Sequence, residues 1–393
     1  MHGGEAHGGA GPVREPEVAG SISLGSLFLA FLKIGSIGFG GGMAVIALME
    51  QEIAGKRRLI SVEEFAHGVG LAQILGGFAV NTAIFVGYRL LGLIGGLLCA
   101  LAFLTPSVLL VTALSYLYFE YHSIPALQSV VAGLGPVVIA LIVSAGWNIA
   151  RHTVHTKIAV VVASAATAAG IARLNTVWIL LAAGAVGLFL NRDSRAAVST
   201  SATDSTTTLL AVPAMSMPAV GPLFGLTGTF LKIGCVFFGG GFVLVPLLHN
   251  HLVTELHYLT EREFLDGMAI SNLTPGPIAV LATFAGYHVA SIAGALVATA
   301  ALFAPGVALM LVISHQYAHF RGDLRAKRFL SGINPAVAGL ISATAALLAP
   351  AALASWRGLL LCGLSLLLLT RFRWHPAFVL AIGAATGYLG VSP

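Results

Sequence analysis

Charged residues are scarce in this chain. Of its 393 residues only 9% are Asp, Glu, Lys or Arg, whereas 57% are hydrophobic. Soluble domains carry about a quarter charged residues, so the composition excludes a soluble enzyme or binding module. Inside the apolar sequence, the only long hydrophilic interruption runs from 191 to 208. The chain is therefore predicted to be a polytopic membrane protein.

Cysteine is also rare. Cys99, Cys235 and Cys362 lie far apart in apolar runs, without the spacing of a metal site or a redox motif. Small core residues are their expected role, and neither a metal nor a cofactor is expected. No basic stripe interleaved with aromatic residues is present, so the net charge of +5 does not indicate a nucleic-acid partner.

Apolar runs are abundant, and many reach the roughly 20 residues that cross a bilayer as a helix. They are rich in Gly and Ala and do not alternate in polarity, which favours α-helices over a β-barrel. The predicted fold class is an all-α polytopic membrane protein embedded in a lipid bilayer. Examples of these runs are 91–118, 127–147, 292–314 and 336–354.

The chain contains the same module twice. Phe31-Leu-Lys-Ile-Gly35 reappears as Phe230-Leu-Lys-Ile-Gly234, an offset of 230 − 31 = 199 residues that holds to Pro136 and Pro335. Each copy reads as five or six helices, and inverted repeats with broken helices at their interface are favoured, as in many transporters. The predicted domains are a disordered tail (1–20), a first repeat (21–190), a polar linker (191–219) and a second repeat (220–393).

Each repeat carries Phe-Gly-Gly-Gly inside its first apolar segment. Three consecutive glycines can unwind a helix and expose amides as an anion-binding concavity. Close packing of helices through small residues is the alternative. The glycines predicted to bind substrate are Gly40, Gly41 and Gly42, with their counterparts Gly239, Gly240 and Gly241.

A lysine precedes each glycine run. Lys33 lies 33 − 21 = 12 residues into the segment that begins at Ser21, or ~18 Å along a helix. A lysine at mid-membrane costs about 2.5 kcal/mol or more, and no aspartate or glutamate is expected as deep in the membrane to neutralise it. Lys33 and Lys232 are therefore predicted to face the repeat interface and bind a dianion, with snorkelling as the alternative.

The second apolar segment of repeat 2 contains Ser271-Asn-Leu-Thr-Pro-Gly-Pro277. Two prolines around a glycine cannot continue a helix, and the N–H groups freed at the start of the next half-helix suit an anion. A simple kink is the alternative. The predicted binding residues are Asn272, Thr274, Pro275, Gly276 and Pro277, together with Gln73, which aligns with Asn272, and Asn81 beside Gly76-Gly77 in repeat 1.

The same segment opens with Ser61-x-x-Glu64 in repeat 1 and Thr260-x-x-Glu263 in repeat 2. Both patterns are capping boxes, which explains the two glutamates without a function. One turn further on, His67 and Asp266 align with each other. They are the candidates for proton coupling, although interfacial positioning is the more common role of such residues.

Together these features resemble the chromate ion transporter family in its long two-domain form. The resemblance covers about 21–391 and is carried by the doubled Phe-Gly-Gly-Gly module, Pro275-Gly-Pro277, and the later Pro106 and Pro305. It implies a carrier in the bacterial inner membrane that exports chromate in exchange for protons, with sulfate as a look-alike oxyanion. Alternating access of the two repeats about a central anion site is the expected mechanism.

Transport of sulfate or another anion through the same fold is the alternative function. An enzyme is not expected, because the sequence shows no clustered nucleophile, no His-rich metal site and no soluble domain. The sequence leaves the oligomeric state open, with a homodimer as one candidate.

Overall fold

The structure is a computed structural model that describes residues 22–39, 42–75, 77–121, 124–190, 222–237, 241–315 and 324–390. The predicted disordered tail and polar linker lie outside the described residues. So do Gly40 and Gly41 of the first glycine run and Gly239 and Gly240 of the second.

Within the described residues, each repeat has seven α-helices in the same order. In repeat 1 they are α1 Leu24–Ile37, α2 Gly42–Met49, α3 Val62–Ile74, α4 Phe78–Tyr121, α5 Pro125–Thr153, α6 Lys157–Ile171 and α7 Thr176–Leu190. In repeat 2 they are α8 Pro222–Val236, α9 Leu244–His249, α10 Glu261–Leu273, α11 Leu281–His315, α12 Leu324–Ala352, α13 Trp356–Thr370 and α14 Pro376–Tyr388. The π-helical segments Glu50–Lys56 and Asn250–Glu255 extend α2 and α9, and the 3-10 turns Gly241–Val243 and Ile278–Val280 precede α9 and α11.

Seven helices per repeat exceed the predicted five or six. The glycine run divides the first apolar segment into two helices, and the charged stretch after it, which reads as a loop, continues the second of them as the π-helical segment Glu50–Lys56. The ambiguous last segment is a pair of short helices, α6 and α7. Arg173 lies in the turn between them with a φ of 55°.

Four of the described helices are long and apolar enough to cross a bilayer: Phe78–Tyr121, Pro125–Thr153, Ile278–His315 and Gly332–Ala352. Most of the others are much shorter. For example, α1 has 14 residues, or about 21 Å at a rise of about 1.5 Å per residue. Because the hydrocarbon core is about 30 Å thick, such a helix does not cross it alone.

The first two short helices of each repeat form a hairpin, which turns between Ile37 and Gly42 in repeat 1 and between Val236 and Gly241 in repeat 2. In repeat 2 the arms meet where a Cβ on Gly225 would lie 3.8 Å from the Tyr258 hydroxyl oxygen. In repeat 1, Lys33 Nζ lies 3.9 Å from Glu52 Oε2, and Arg57 Nη1 donates to Ser26 Oγ over 3.2 Å. In each pair, one residue precedes Gly42 and the other follows it by nearly the same number of residues. The two arms, α1 and α2 with its π-helical extension, therefore run antiparallel.

A second hairpin follows in each repeat. Its arms in repeat 1 are α3 and the first part of α4, and Gly68 of one arm packs on the Phe85 ring of the other, where a Cβ would lie 2.2 Å from the ring. In repeat 2, Gly267 packs on Phe284 in the same way. The described residues at the tips of these second hairpins are 75 and 77 in repeat 1 and 274–277 in repeat 2.

After the second hairpin, α4 reverses direction. Its backbone leaves helical geometry at Leu91 and Gly92, and the two parts of the helix then pack so closely that a Cβ on Gly87 would lie 2.3 Å from the Gly95 carbonyl oxygen. The same reversal occurs 199 residues later, at Ala290 and Ser291 of α11. The two repeats therefore share this break in the helix as well as their regular helices.

Equivalent helices of the two repeats run antiparallel. A Cβ on Gly135 would lie 3.3 Å from Ala352 Cβ, and one on Gly146 would lie 3.0 Å from Ile341 Cγ2. The start of α5 therefore lies beside the end of α12, and the pairing progresses in opposite directions along the two helices. Since α5 and α12 are equivalent in sequence, the second repeat is inverted relative to the first, which confirms the favoured arrangement.

Each repeat also completes the packing of the other. Repeat 2 supplies α13 and α14 to cover α5, and repeat 1 supplies α6 and α7 to cover α12. At the first of these contacts a Cβ on Gly133 would lie 2.1 Å from the Gly383 carbonyl oxygen. The buried apolar residues of both repeats consequently form one continuous core.

Candidate functional site

The hairpin tips of the two repeats meet at the repeat interface. We call this region the tip cluster; it consists of the described residues 38–39, 42, 75 and 77–78 of repeat 1 and 237, 241 and 274–278 of repeat 2. The Gly276 N–H donates to the Gly38 carbonyl oxygen over 3.0 Å. The two repeats are therefore joined by a backbone hydrogen bond where the Pro-Gly-Pro turn reaches the end of α1.

The Pro-Gly-Pro turn makes a second contact with repeat 1. Ser107 of α4 donates from Oγ to the Pro275 carbonyl oxygen over 2.5 Å in a buried position. Gly276 has a φ of 109°, and a Cβ there would lie only 2.0 Å from Ser107 Oγ. Both the backbone angle and the available space thus require glycine at position 276.

The tip of repeat 1 is built differently, as the absence of Pro-Gly-Pro implies. Gly77 has a φ of 72°, and a Cβ there would lie 3.4 Å from the Phe237 ring and 3.5 Å from the Phe303 ring. Gly77 of repeat 1 therefore contacts aromatic side chains of repeat 2, whereas Gly276, its equivalent in repeat 2, contacts Ser107 and Gly38 of repeat 1. The two halves of the tip cluster are related by symmetry but differ in chemistry.

Four helical segments begin at the tip cluster, at Gly42, Phe78, Gly241 and Ile278. The first N–H groups of a helix lack intrahelical partners, and the helix dipole gives this end a partial positive charge. Two such ends come from each repeat. The arrangement can therefore present backbone N–H donors to an anion between the repeats.

The last glycine of each run has a packing role. A Cβ on Gly42 would lie 2.2 Å from the Phe78 ring, and one on Gly241 would lie 3.1 Å from Ile278 Cγ2. These glycines let the first and second hairpin tips of one repeat pack together. For these two positions the structure thus supports the small-residue alternative.

Lys33 lies one turn before the tip cluster and pairs within its own repeat. Its side chain is 59% exposed, and its Nζ lies 3.9 Å from Glu52 Oε2 of the same hairpin. Glu52 also pairs with Lys56 and Arg57, at 3.8 and 3.1 Å. The prediction that no acidic residue reaches the depth of this lysine is wrong, because the stretch that contains Glu52 is helical. Lys232 is exposed as well.

The predicted amide and hydroxyl side chains occupy unequal positions. Asn81 is 2% exposed in the first turn of α4, and Thr274 is 6% exposed within the Pro-Gly-Pro turn. Asn272 donates from Nδ2 to the Met268 carbonyl oxygen of its own helix over 2.8 Å, whereas its counterpart Gln73 is exposed. The structure thus buries Asn81 and Thr274 more deeply than the aligned pair Asn272 and Gln73.

The two candidates for proton coupling lie further from the tips. Asp266 is 4% exposed, and its Oδ2 accepts a hydrogen bond of 2.7 Å from the Tyr118 hydroxyl of repeat 1. His67 occupies the equivalent place in α3 and is half-buried. Asp266 is thus the one of the two that the structure buries against the other repeat.

The predicted capping box is present in repeat 2, whereas in repeat 1 only its serine half is formed. Thr260 Oγ1 accepts from the Glu263 N–H, and Glu263 Oε2 accepts from the Thr260 N–H over 2.8 Å. In repeat 1, Ser61 Oγ accepts from the Glu64 N–H over 3.1 Å. The Glu64 carboxylate instead pairs with Arg89.

Sequence reasoning missed Ser107, Glu52 and Tyr118. Glu52 could have been found from its spacing to Lys56, since an i, i+4 pair of opposite charges is typical of a helix surface. For Ser107 and Tyr118 the partners are 168 and 148 residues away in the chain. No local pattern marks such contacts.

The chromate transporter family model matches the chain twice, over residues 25–188 and 224–388. The chain belongs to the chromate transporter family. In this family, the chromate transport protein of Cupriavidus metallidurans is 30% identical over 384 residues, which cover 93% of each chain. The chromate transport protein of Pseudomonas aeruginosa is 33% identical over 336 residues, covering 82% of this chain and 80% of that one.

A shorter relative matches only part of the chain. An uncharacterised transporter of Bacillus subtilis is 27% identical over 147 residues, which make up 36% of this chain but 83% of the relative. That protein is therefore about as long as one repeat of this chromate transporter family member. No solved structure matches the chain.

Proposed function

We propose that the protein is a secondary transporter that exports chromate across the bacterial inner membrane in exchange for protons. Membership of the chromate transporter family and the names of two relatives of nearly full length support the substrate. The single observation that carries the mechanism is the contact between the hairpin tips of two inverted repeats.

The proposed chromate site is the tip cluster. A tetrahedral dianion is bound by the backbone N–H groups at the starts of the four returning segments, where helix dipoles add partial positive charge. Gly40, Gly41, Gly239 and Gly240 belong to the same runs and are included in the proposal. Asn81 and Thr274 add polar side chains, and Lys33 and Lys232 contribute positive charge one turn away.

The proposed mechanism is alternating access. In a pair of inverted repeats, a rearrangement that opens the site on one side of the membrane has a symmetric counterpart that opens it on the other. The two repeats meet at the site through a small number of backbone and hydroxyl hydrogen bonds, at Gly38, Ser107, Pro275 and Gly276. These contacts are the ones that exchange during the cycle.

The proposal is tested with everted membrane vesicles that contain the protein. Export from the cell corresponds to uptake into such vesicles, so labelled chromate should accumulate when a proton gradient is imposed and should not when the gradient is collapsed. Unlabelled sulfate serves as the competitor. Uptake of labelled sulfate without uptake of chromate would replace chromate by sulfate in the proposal, and uptake of neither oxyanion would reject it.

A further inference from the structure

An open cavity of about 270 Å³ lies where α10 of repeat 2 meets repeat 1. A water molecule needs roughly 15 Å³ of such space, so the cavity has room for a continuous chain of waters. Its lining consists of Tyr118, Leu127, Gln128, Val131, Arg262 and Asp266. A second hollow of about 130 Å³ shares Val131, Arg262 and Asp266 and continues towards the end of α12.

Asp266 is the buried carboxyl group of this cavity. The charged groups that act on it are Arg262, one turn earlier on α10 and exposed, and the neighbouring Glu263. Among the helices packed against α10, α4 contributes Tyr118 to the cavity lining and α5 contributes Gln128. The lining residues from α12 are alanines, and α14 contains no charged residue. His288 of α11 lies against Phe119, next to Tyr118.

We propose that Asp266 and Tyr118 form the proton-binding site of the transporter, and that water in this cavity delivers the proton. The inference rests on the proposed function, since it names the group that carries the coupled proton. In the binding step one proton passes from hydronium in the cavity to the carboxylate and leaves a water molecule behind. The Tyr118 hydroxyl keeps its own proton and continues to donate a hydrogen bond to Asp266 Oδ2. The incoming proton therefore binds to Asp266 Oδ1.

The two partners belong to different repeats, which connects protonation to the transport cycle. A hydrogen bond donated to a carboxylate stabilises its ionised form. With the repeats docked as they are here, Asp266 is only 4% exposed, and its burial outweighs this hydrogen bond and favours the protonated carboxyl group. When the repeats separate at this contact, water reaches Asp266 and the carboxyl group releases its proton.

The equivalent place in repeat 1 has different chemistry. Position 266 − 199 = 67 is His67, and position 262 − 199 = 63 is Glu63. An aspartate beside an arginine is therefore found in repeat 2 but not at the matching positions of repeat 1. The proposal accordingly assigns the coupled proton to Asp266 and not to His67.

The test uses the full-length protein in proteoliposomes and compares two rates. The first is exchange of labelled for unlabelled chromate at equal pH on both sides, and the second is net chromate flux driven by a pH gradient, with a pH-sensitive dye reporting proton movement. Asp266→Asn should keep exchange and lose both net flux and proton movement. Tyr118→Phe should keep exchange and shift the pH at which net flux is half-maximal.

Tyr116→Phe is the matched control, because Tyr116 lies on the same helix and is 47% exposed. It should behave as the unaltered protein does. Asp266→Glu keeps a titratable carboxyl group and should restore part of the net flux that Asp266→Asn loses.

Net flux and proton movement at the unaltered level in Asp266→Asn would overturn the proposal. If the Asn and Glu variants both lose exchange as well as net flux, the residue is structural and the proposal also fails. An unaltered protein that exchanges no chromate contradicts the proposed substrate instead. In that case the same variants are measured with labelled sulfate, so that the proton site is tested independently of the identity of the anion.

Discussion

Single residues in the tip cluster are held by tight steric limits. Gly276 combines a φ of 109° with a position where any Cβ would lie 2.0 Å from Ser107 Oγ. Ser107 is itself held by its hydrogen bond to the Pro275 carbonyl oxygen, so it has little freedom to move aside. The contact between the repeats thus depends on the absence of one methyl group.

Gly276→Ala should therefore abolish chromate transport. A residue other than glycine at an incompatible positive φ costs more than about 1 kcal/mol, and the clash with Ser107 pushes the turn away from repeat 1. Gly70→Ala is the matched control, since nothing lies within 4 Å of a Cβ at that helical position. Chromate uptake per amount of protein in the membrane is the measurement, and normal uptake by the Gly276 variant would argue against the tip cluster as the site.

Lys33 and Lys232 are tested by replacement with methionine. Their ammonium groups lie about one turn from the proposed site, where the attraction between a unit charge and a dianion is on the order of 2 kcal/mol, so each change should weaken the apparent affinity for chromate by about ten- to a hundredfold. The repeat 1 hairpin should persist in the Lys33 variant, because Arg57 Nη1 still donates to Ser26 Oγ of the other arm over 3.2 Å.

Lys56→Met provides the comparison for the lysine variants. Lys56 is 61% exposed and also pairs with Glu52, but it lies at the open end of the hairpin, far from the tip. Its replacement should leave the concentration dependence of uptake unchanged. If Lys33→Met and Lys232→Met both accumulate chromate as the unaltered protein does, the lysines have no part in binding.

At the scale of elements, the short helices depend on close backbone approach. Gly35 of α1 lies directly on α4, where a Cβ would be 2.3 Å from the Phe103 carbonyl oxygen, and Gly234 of α8 lies in the same way on Leu302 of α11. This explains why glycine ends the repeated Phe-Leu-Lys-Ile-Gly motif. In repeat 1 the motif packs on α4, which contains Pro106, and in repeat 2 it packs on α11, which contains Pro305.

Gly35→Ala should destabilise the protein, because overpacking a tight contact costs typically about 1–3 kcal/mol. Gly25→Ala on the same helix should not, since nothing lies within 4 Å of a Cβ there. The thermal unfolding midpoints of the two variants, purified in the same detergent, provide the comparison. Equal midpoints would contradict the close approach of α1 and α4.

Much of this architecture could be predicted from the sequence, while its hairpins could not. Composition and repetition predicted the helical class and the duplication, and the Pro-Gly-Pro turn marked a real break at 274–277. The sequence could not show that Ser107 and Tyr118 of one repeat contact Pro275 and Asp266 of the other, because such pairs are set by the packing of the whole chain. Nor could apolar content alone distinguish one crossing helix from two returning arms.

At the scale of the whole molecule, the inverted arrangement can be tested by cross-linking. In a chain whose native cysteines are replaced by alanine, Gly135→Cys together with Ala352→Cys should form a disulfide. The Cβ positions lie 3.3 Å apart, close to the roughly 3.5–4.5 Å of a disulfide. With a protease site placed in the linker, the two halves should stay joined after cleavage until a reductant is added.

Gly135→Cys with Asn334→Cys is the control pair, because position 334 = 135 + 199 would face position 135 if the repeats ran parallel. In the inverted arrangement, position 334 is 352 − 334 = 18 residues from Ala352, or ~27 Å along α12. This pair should not cross-link. A disulfide in the control and none in the test pair would mean that the repeats are parallel.

The covering of α5 by α13 and α14, and of α12 by α6 and α7, has a consequence for a protein with a single repeat. A polypeptide with only one repeat would leave the sides of its own long helix bare. It could become complete only by pairing with a second copy inserted in the opposite direction. In this fold, a single-repeat protein would therefore need a partner repeat of opposite orientation, and the present chain carries that partner within itself.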